Sequence, residues 1–548
     1  MKKKGKRTLT IALLTLLVAF VYFYLSLPAI NLQDPAFYGF FFVTAAVYTG
    51  LRLLYSGELK LQGGNIDARE LVRLIKKEAR TPALICLALV AVYVVGQVVS
   101  SPVFRARSYA EILQVEPRDF ATDVREISWD QIPMLDAVSA ARLGNRTLGE
   151  LADVVSQFEV APTYTQINFQ GRPVRVAPLE YGDIIKWFNN TAQGLPAFIM
   201  IDMVTQHAEV VRLPVGQWMR YSPSEYFFRN LDRHLRIHYP TYMFAEPVFH
   251  INEEGMPYWV APRIMRRIGL FGGTDIRGAV LVNAATGATQ YYELHEIPTW
   301  VDRVFAAELL LQQYNWHGSY QDGFINSLLG QRGVTVTTRG FNYIAFDDDV
   351  YLYTGITSVG ADASIIGFVL INQRTKEATL YSVAGAEEYA AMASAEGLVQ
   401  DLRYTATFPI LLNIAGRPTY FVALKDAMDI VRMYAMVDVE FSQIAVNAPT
   451  VQETERLYRE ELLRQGLIDT EQVVGTYSSG VVAEIRTAVM EGHSHYFIRL
   501  EGQAYFYLID IRENPHVVLL DEGDQVDVYR TQVYVEGEII PAYRIDVQ

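Results

Sequence analysis

The sequence predicts an α+β, membrane-anchored chain: three N-terminal transmembrane helices, then repeated small antiparallel α+β modules, then a C-terminal small β-barrel. Three observations carry this reading. Three apolar stretches open the chain, one seventeen-residue phrase recurs along it, and the tail from about Val473 reads as short strands separated by polar turns.

The apolar stretches are Thr8–Pro28, Ala36–Tyr55 and Ala83–Ser101. Each is close to the roughly 20 residues that cross a bilayer as a helix. None holds Asp, Glu, Lys or His in its interior, and Arg52 lies at the end of the second. Loop charge sets the orientation. The N-terminus reads "MKKKGKR", the first connection "AINLQDP" has no Lys or Arg, and the second carries Lys60, Arg69, Arg73, Lys76, Lys77 and Arg80. The positive-inside rule then makes the N-terminus and the second connection cytoplasmic, and residues after about 102 extracytoplasmic in the plasma membrane. A cleaved signal peptide over the first stretch is the alternative; the run is long for one, and no small-x-small site follows. The second connection, "NIDARELVRLIKKEAR", is expected to form a short basic amphipathic helix with Asn65 or Asp67 as its cap.

Length also points to several domains, since 548 residues exceed one core. Residues 1–104 hold 12 Lys and Arg against 5 Asp and Glu, leaving 35 basic and 56 acidic residues beyond them, a net of −21. Such a surface repels nucleic acid. The lone cysteine, Cys86, falls in the third apolar stretch, so the region beyond it has no disulfide framework. That usage fits a Gram-positive bacterial envelope.

The phrase "GAVLVNAATGATQYYEL" at Gly278 returns as "GFVLINQRTKEATLYSV" at Gly367 and, upstream, as "AFIMIDMVTQHAEVVRL" at Ala197. A looser copy, "MYAMVDVEFSQIAV", carries Asp438 in register and no Thr. Each copy reads as a buried strand, a turn and a second strand. Asn283, Asn372, Asp202 and Asp438 open the turn because an Asx side chain bonds backbone amides two residues on. Thr286, Thr375 and Thr205 continue it. These are turn formers before they are ligands.

A second phrase precedes three of the copies: "NFQGRPVRVAP" at Asn168, "NEEGMPYWVAP" at Asn252 and "NIAGRPTYFVAL" at Asn413. Gly171, Gly255 and Gly416 supply the tight turn, and Pro173, Pro257 and Pro418 open a strand where no ladder donor is needed. Helical stretches separate the phrases, including "SPSEYFFRNLDRHLRIH", "PTWVDRVFAAELLLQQY", "EEYAAMASAEGLVQDL" and "TVQETERLYREELLRQG". The expected organisation is a three-helix membrane anchor over 1–104, a helical connector over 105–160, and α+β repeats over 161–238, 239–335 and 336–407. A fourth, partial repeat with a helix follows over 408–470, and a small barrel over 471–548.

The run "GMPYWVAPRI…GAVLVNAATGATQYY" resembles the PepSY module, in which a strand pair ends in a V-x-V-[DN]-A-x-T-G hairpin beside a helix. The likeness is strongest over 250–294 and weaker where the Gly after Thr becomes Gln206 or Lys376. It implies cystatin-like antiparallel modules that bind partners or modulate a protease, and not an enzyme. The chain as a whole is similar to a group of multi-span membrane proteins from anaerobic Gram-positive bacteria, a likeness that assigns no chemistry. In the tail, a Gly-x-Val strand start and the "GDQVDV" strand point to an OB-like barrel. With 5 basic and 12 acidic residues from Gly475 onward, nucleic acid is disfavoured there and a protein contact favoured.

No catalytic, cofactor-binding or metal residue is expected from the sequence. His234 and His238 share a helix face, but the zinc-hydrolase pattern needs Glu where Leu235 stands, so both are read as surface residues of an amphipathic helix. His493 and His495 alternate on a strand with no acid or Cys at fixed spacing. "FDDDVY", Asp347 to Asp349, lacks the spaced acids and closing Glu of a calcium loop. "GLFGGTDIRG" from Gly269 opens a strand instead of a helix and has no Gly-Lys-Ser/Thr, so it is not read as a phosphate loop. The 34 Tyr and 27 Phe fit carbohydrate stacking, but fit cross-strand packing better. The expected role is therefore recognition, within the bilayer-anchored envelope, of another protein or a wall polymer, with self-association left open. Protease modulation is the alternative, followed by an envelope enzyme with an unrecognised site and a transport subunit.

Overall fold

The computed structural model describes all residues except 1, 57–79, 127–131, 150–155, 347–348, 361–363, 469–476, 491, 504, 513, 531–538 and 548. The basic connection expected as an amphipathic helix therefore lies outside the described residues, apart from Arg80. The chain divides into two compact units, Met1–Arg118 with Pro133–Ser382, and Asp119–Ile132 with Val383–Gln548. The fold is α+β, with three long apolar helices followed by largely antiparallel sheets.

Helices α1 (Lys2–Ser26), α2 (Pro35–Ser56) and α3 (Arg80–Val99) are each long and apolar enough to cross a membrane. Their apolar side chains face outward: Leu16, Phe20, Leu54, Leu87 and Val95 are all more than half exposed. A soluble core could not leave such a surface uncovered, whereas lipid covers it without cost. Aromatic pairs such as Tyr22–Phe40 and Tyr38–Tyr93 hold the three together.

Beyond them, four sheets follow one pairing plan. A short first strand and a second strand lie in turn along the same edge of a long third strand. The fourth pairs with the third's other edge, and the fifth with the fourth. In the first sheet these are β2 (Phe158–Val160), β3 (Thr165–Phe169), β4 (Arg172–Tyr181), β5 (Ala197–Asp202) and β6 (Ala208–Arg212). In the second they are β7 (Met243–Phe244), β8 (Val248–Ile251), β9 (Pro257–Ile268), β10 (Gly272–Asn283) and β11 (Thr289–Glu293). The third uses β12 (Thr335–Thr337), β13 (Asn342–Phe346), β14 (Asp349–Ser358), β16 (Gly367–Asn372) and β17 (Ala378–Tyr381), after the two-residue strand β15 (Ser364–Ile365). Strand β1 (Val115–Arg118) adds to β17 in parallel. In the second unit, the two-residue strand β18 (Gly385–Ala386) is followed by β19 (Thr405–Ala406), β20 (Ile410–Ile414), β21 (Arg417–Lys425), β22 (Val431–Asp438) and β23 (Ala445–Ala448), a fourth sheet with all five strands. A helix precedes each sheet: Ala137–Gly149 (α5), Leu231–His238 (α7), Ala307–Tyr320 (α8) and Glu388–Gly397 (α9). Pro102–Ala110 (α4) and Ile184–Asn190 (α6) lie between.

The recurring phrases occupy equivalent places. All four copies of the first are the hairpin joining fourth and fifth strands. Asn283 Oδ1 accepts from the amides of Ala285 and Thr286, Asn372 Oδ1 from Arg374 and Thr375, and Asp202 Oδ1 from Val204 and Thr205. Asp438 does the same for Glu440 and Phe441. Thr286, Thr375 and Thr205 then accept through Oγ1 from the amide two residues on. The second phrase is the turn between second and third strands. Gln170–Gly171 and Ala415–Gly416 both have positive φ, as two-residue turns matched to strand twist require.

Burial explains why these strands read as continuous apolar runs. Trp259, Ala261, Val280 and Val282 on one face of the second sheet share a core with Phe198 and Ile199 of the first. Val260, Ala279 and Leu281 on its other face share a core with Leu352, Val369 and Ile371 of the third, together with Leu310 and Tyr314 of α8. A strand buried on both faces cannot alternate with polar residues. In the second unit, strands β24 (Tyr477–Met490), β25 (His493–Leu500), β26 (Phe506–Asp510), β28 (Ile539–Val547) and β27 (Gln525–Arg530) close a barrel in that order. Among the described residues of the barrel, β26 and β28 run parallel and the other pairs antiparallel. Ile498, Tyr507, Ile509, Val526 and Val528 fill it.

Gly287, Gln206 and Lys376 hold the same left-handed turn position, with φ of 75°, 58° and 70°. Gln206→Gly should remove roughly 1 kcal/mol of backbone strain and leave stability equal or higher. Lys376→Gly relieves the same strain but removes the ammonium at 2.8 Å from Asp275, a carboxylate only 2% exposed. It should cost about 2 kcal/mol or more. Denaturation of the two variants in detergent, with Lys376→Gly losing stability and Gln206→Gly losing none, checks this assignment.

Candidate functional site

Two places in the first unit combine long-range contacts with unusual chemistry. The first is the tip of the hairpin joining β9 to β10, at Gly269, Leu270 and Phe271. Gly269 has a φ of 59° and Gly273 of 61°, so the backbone folds back within a few residues. The amides of Leu270 and Phe271 donate to Ser100 Oγ at 3.1 and 3.3 Å, just past the end of α3. The Ser100 carbonyl accepts from the Tyr109 hydroxyl at 2.7 Å. The Phe271 ring lies against Tyr38 of α2 and Tyr93 of α3, with centroids 5.5 and 5.2 Å away. Gly96 of α3 leaves the notch it fills: a Cβ there would come within 2.6 Å of the ring.

The loop between α1 and α2 completes the docking. The Ile30 amide donates to Pro240 O, Asn31 Nδ2 to Thr241 O and Gln33 Nε2 to Arg266 O. From α7, Arg236 Nε reaches Leu27 O at 2.9 Å, and the Arg233 guanidinium sits 4.5 Å over the Tyr24 ring. Burial lowers the pKa of Arg236 and Arg266, and Asp34 opposes that shift in both. The second sheet is thereby fixed to the ends of all three apolar helices.

The second place is a buried polar seam where the three sheets meet. Arg175 of β4 is 5% exposed and donates to Gln166 Oε1 at 3.3 Å. Arg175 Nε and Gln166 Nε2 are buried without a hydrogen-bond partner among the described residues. Burial lowers the Arg175 pKa to about 10, and Arg303 adds repulsion. His250 of β8 is fully buried and accepts from the Arg303 amide at 3.3 Å. Desolvation first, and Arg303 second, depress its pKa to about 3. Asp302 Oδ2 accepts from the Asn168 amide at 2.7 Å, and Gln373 Nε2 donates to Phe305 O. Perturbed groups of this kind mark active sites when a substrate can reach them. Here Arg175, His250, Asp302 and Gln373 are all buried, so the seam positions sheets.

The residues singled out from sequence fall elsewhere. His234 is buried, not on the surface; its Nε2 lies 2.7 Å from Gly287 O, and burial lowers its pKa. His238 stacks against it with centroids 4.3 Å apart. His495 faces Asp510 of the neighbouring strand at 3.5 Å, an acid that linear spacing could not reveal. Asp347 lies outside the described residues, whereas Asp349 holds Arg374 at 2.6 Å and Asn372 at 2.8 Å. Among the described residues, no three His, Cys, Asp or Glu gather as a metal site. A half-open cleft of about 560 Å³ lies at the turn end of the first sheet, lined by Phe169, Arg172, Met200, Asp202, His207 and Glu209. Its Asp202 is already engaged by the hairpin turn. Sequence reasoning passed over the docking hairpin. Its signal was an apolar Leu-Phe pair between glycines, flanked by Arg266, Arg267 and Arg277.

No protein-family model matches the chain, and no curated protein does. Among solved structures, a crystal structure of an ACO/RPE65 chimera aligns at 8% identity over 71% of this chain and 62% of that one, less than two thirds of its length. The TM-score is 0.13, too low to support an argument about fold or function.

Gly96→Ala should destabilise the protein even though helix propensity alone favours Ala by about 1 kcal/mol. In a Phe271→Ala background the sign should reverse. A double-mutant cycle on thermal unfolding in detergent should give a coupling of about 1–3 kcal/mol, and zero coupling would contradict the docking. The seam yields a pH signature. Unfolded histidine titrates near 6.5, while folded His250 stays neutral down to about 3. Its contribution is complete above pH 6.5 and is lost as pH falls toward 3. His250→Gln, which keeps an acceptor, should flatten the stability slope between about pH 5 and 6.5 by up to about 1.4 kcal/mol per pH unit.

Proposed function

We propose that this protein is a membrane-anchored binding or scaffold protein of the cell envelope, with a cytoplasmic N-terminus and residues after about 102 extracytoplasmic. Its α+β modules recognise another envelope protein or a wall polymer. The observation carrying this reading is the fourfold sheet plan joined to three apolar helices. A repeated scaffold multiplies surface without requiring a central reaction site, and repeat proteins use such surfaces for recognition. The hairpin Asn, Asp and Thr side chains are engaged by their own turns and, at Asn372 and Asp438, by neighbouring side chains as well, so recognition falls to the outward faces between them. The basic N-terminus and the Lys- and Arg-rich connection favour the stated orientation. The barrel order first, second, third, fifth, fourth, with third and fifth parallel, supports an OB-like module, and its acidic surface favours a protein ligand over nucleic acid.

A second reading, modulation of an extracytoplasmic protease, rests on the PepSY-like run over 250–294. Both readings require the sheets outside the cell. With Cys86 replaced by Ala, a cysteine at Val215, which is 94% exposed, should react with a membrane-impermeant maleimide in intact cells. Protection until lysis would overturn the orientation. Purification of the full chain after in-cell crosslinking should then recover a stoichiometric envelope partner under the scaffold reading. A shift in a purified envelope protease's rate on adding the full chain would favour the second.

A further inference from the structure

We propose that the segment Phe324–Leu329 is a monotopic membrane anchor, inserting Ile325, Leu328 and Leu329 into the same leaflet that receives the docking hairpin. The inference rests on the apolar helices crossing a bilayer, and holds whichever side that leaflet faces. Its partner is the lipid interface.

The geometry follows from α8. Strand β10 starts at the docked tip and runs away from the apolar helices toward Asn283. Helix α8 runs the opposite way beside it. Leu310 lies in the core with Leu281, Gln313 Nε2 donates to Thr274 O at 2.8 Å, and Trp316 packs on Tyr109 at 4.8 Å. Tyr320 also reaches Tyr109, the residue bonded to Ser100 at the end of α3. From Gln313 to Tyr320 the helix advances roughly 10 Å, and from Thr274 to its first residue, Gly272, β10 covers roughly 7 Å, with Phe271 and Leu270 of the tip just beyond. Tyr320 therefore stands near tip level, and Phe324, whose ring lies 6.3 Å from Tyr320, continues toward the leaflet.

The side chains there are sorted as an interface requires. Asn326 bonds the backbone of Arg332 through both its amide nitrogen and its oxygen, and Ser327 Oγ donates to Phe324 O. The polar groups are thus satisfied within the turn. Ile325, Leu328 and Leu329 project outward, 73%, 60% and 84% exposed. Val103 and Phe104, the second and third residues of α4, are also exposed and immediately follow the end of α3. Exposed Arg105, Arg107 and Arg332 flank this apolar surface, where they meet phosphate headgroups. The only acid between residues 321 and 339 is Asp322. Continuity with the lipid-facing helices and this charge pattern select a bilayer as the occupant.

The test uses the full chain with Cys86 replaced by Ala, reconstituted in phosphatidylcholine–phosphatidylglycerol vesicles. Single cysteines replace Leu329, Leu87 in α3 or the exposed Val215, each labelled with an environment-sensitive fluorophore. An interfacial apolar face sits about 5–10 Å into the headgroup–acyl boundary, so nitroxide lipids labelled near the headgroup should quench about half of the Leu329 emission. The same lipids should leave the Val215 label unquenched, and lipids labelled deep in the acyl chain should quench Leu87. Quenching at Leu87 but not at Leu329 overturns the anchor alone. A blue-shifted Leu329 label without quenching means protein covers it, and also overturns the anchor. Absence of quenching at Leu87 as well overturns the membrane-spanning reading on which it rests.

Discussion

A serine hydroxyl and a phenylalanine ring set the geometry of the first unit. Ser100 Oγ takes the two amides that a hairpin tip would otherwise show to solvent or lipid, and Phe271 fills the notch left by Gly96. Neither contact is large. Their leverage comes from β9 and β10, which run from that tip, through one register shift at Arg277, into the middle of three stacked sheets. Away from the tip, over Trp259–Ala261 and Ala279–Val282, both faces of those strands are buried, one against the first sheet and one against the third. Fixing the tip therefore fixes the middle sheet relative to the apolar helices, and packing transmits that placement to its neighbours. The unbonded amides of a free tip at a lipid interface would carry a desolvation cost.

The sheets themselves persist by local chemistry. An Asx side chain bonding the next two amides, followed by a Thr that bonds one more, closes a hairpin without help from the rest of the chain. That independence lets the phrase recur while the strands around it vary. Lys376 shows how a repeat position gains a second role. It accepts a left-handed backbone that Gly would adopt freely, and its ammonium crosses to Asp275 in the preceding sheet. The buried seam around Arg175, His250 and Asp302 is a further junction of this kind, in which polar groups specify how sheets meet. In the second unit, Asp438 closes its turn and also accepts from Arg417 and from Tyr458 of the helix Val451–Arg464, so turn and helix are tied through one carboxylate.

What could be read from sequence follows the same division between local and distant causes. The apolar helices, the hairpin turns and the Gly171 and Gly416 turns depend on neighbouring residues, so their signals lie within a few positions. The fourth hairpin was harder to read because no Thr follows Asp438, and between the third sheet's second and third strands the sequence has Asp347 and Asp348 in place of the Asn-x-x-Gly phrase. The docking tip was illegible because its meaning resides in Gly96, Tyr38 and Tyr93, far away in sequence. His234 looked like a surface residue because its neighbours Arg233 and Arg236 are charged; the Tyr221 ring and the Gly287 carbonyl, both distant in sequence, cover it. Many aromatics that suited a sugar platform turn out to be core, with Tyr314, Tyr353, Tyr420, Tyr458 and Tyr507 fully buried.

Amide hydrogen exchange on the full chain in lipid nanodiscs tests the central docking most directly. The Leu270 and Phe271 amides lie at a hairpin tip, where exchange is ordinarily close to that of free peptide. Docking on Ser100 should protect both strongly, and Ser100→Ala should remove that protection while the β9–β10 ladder remains slow. Rapid exchange at both amides in the unmodified protein would contradict the docking.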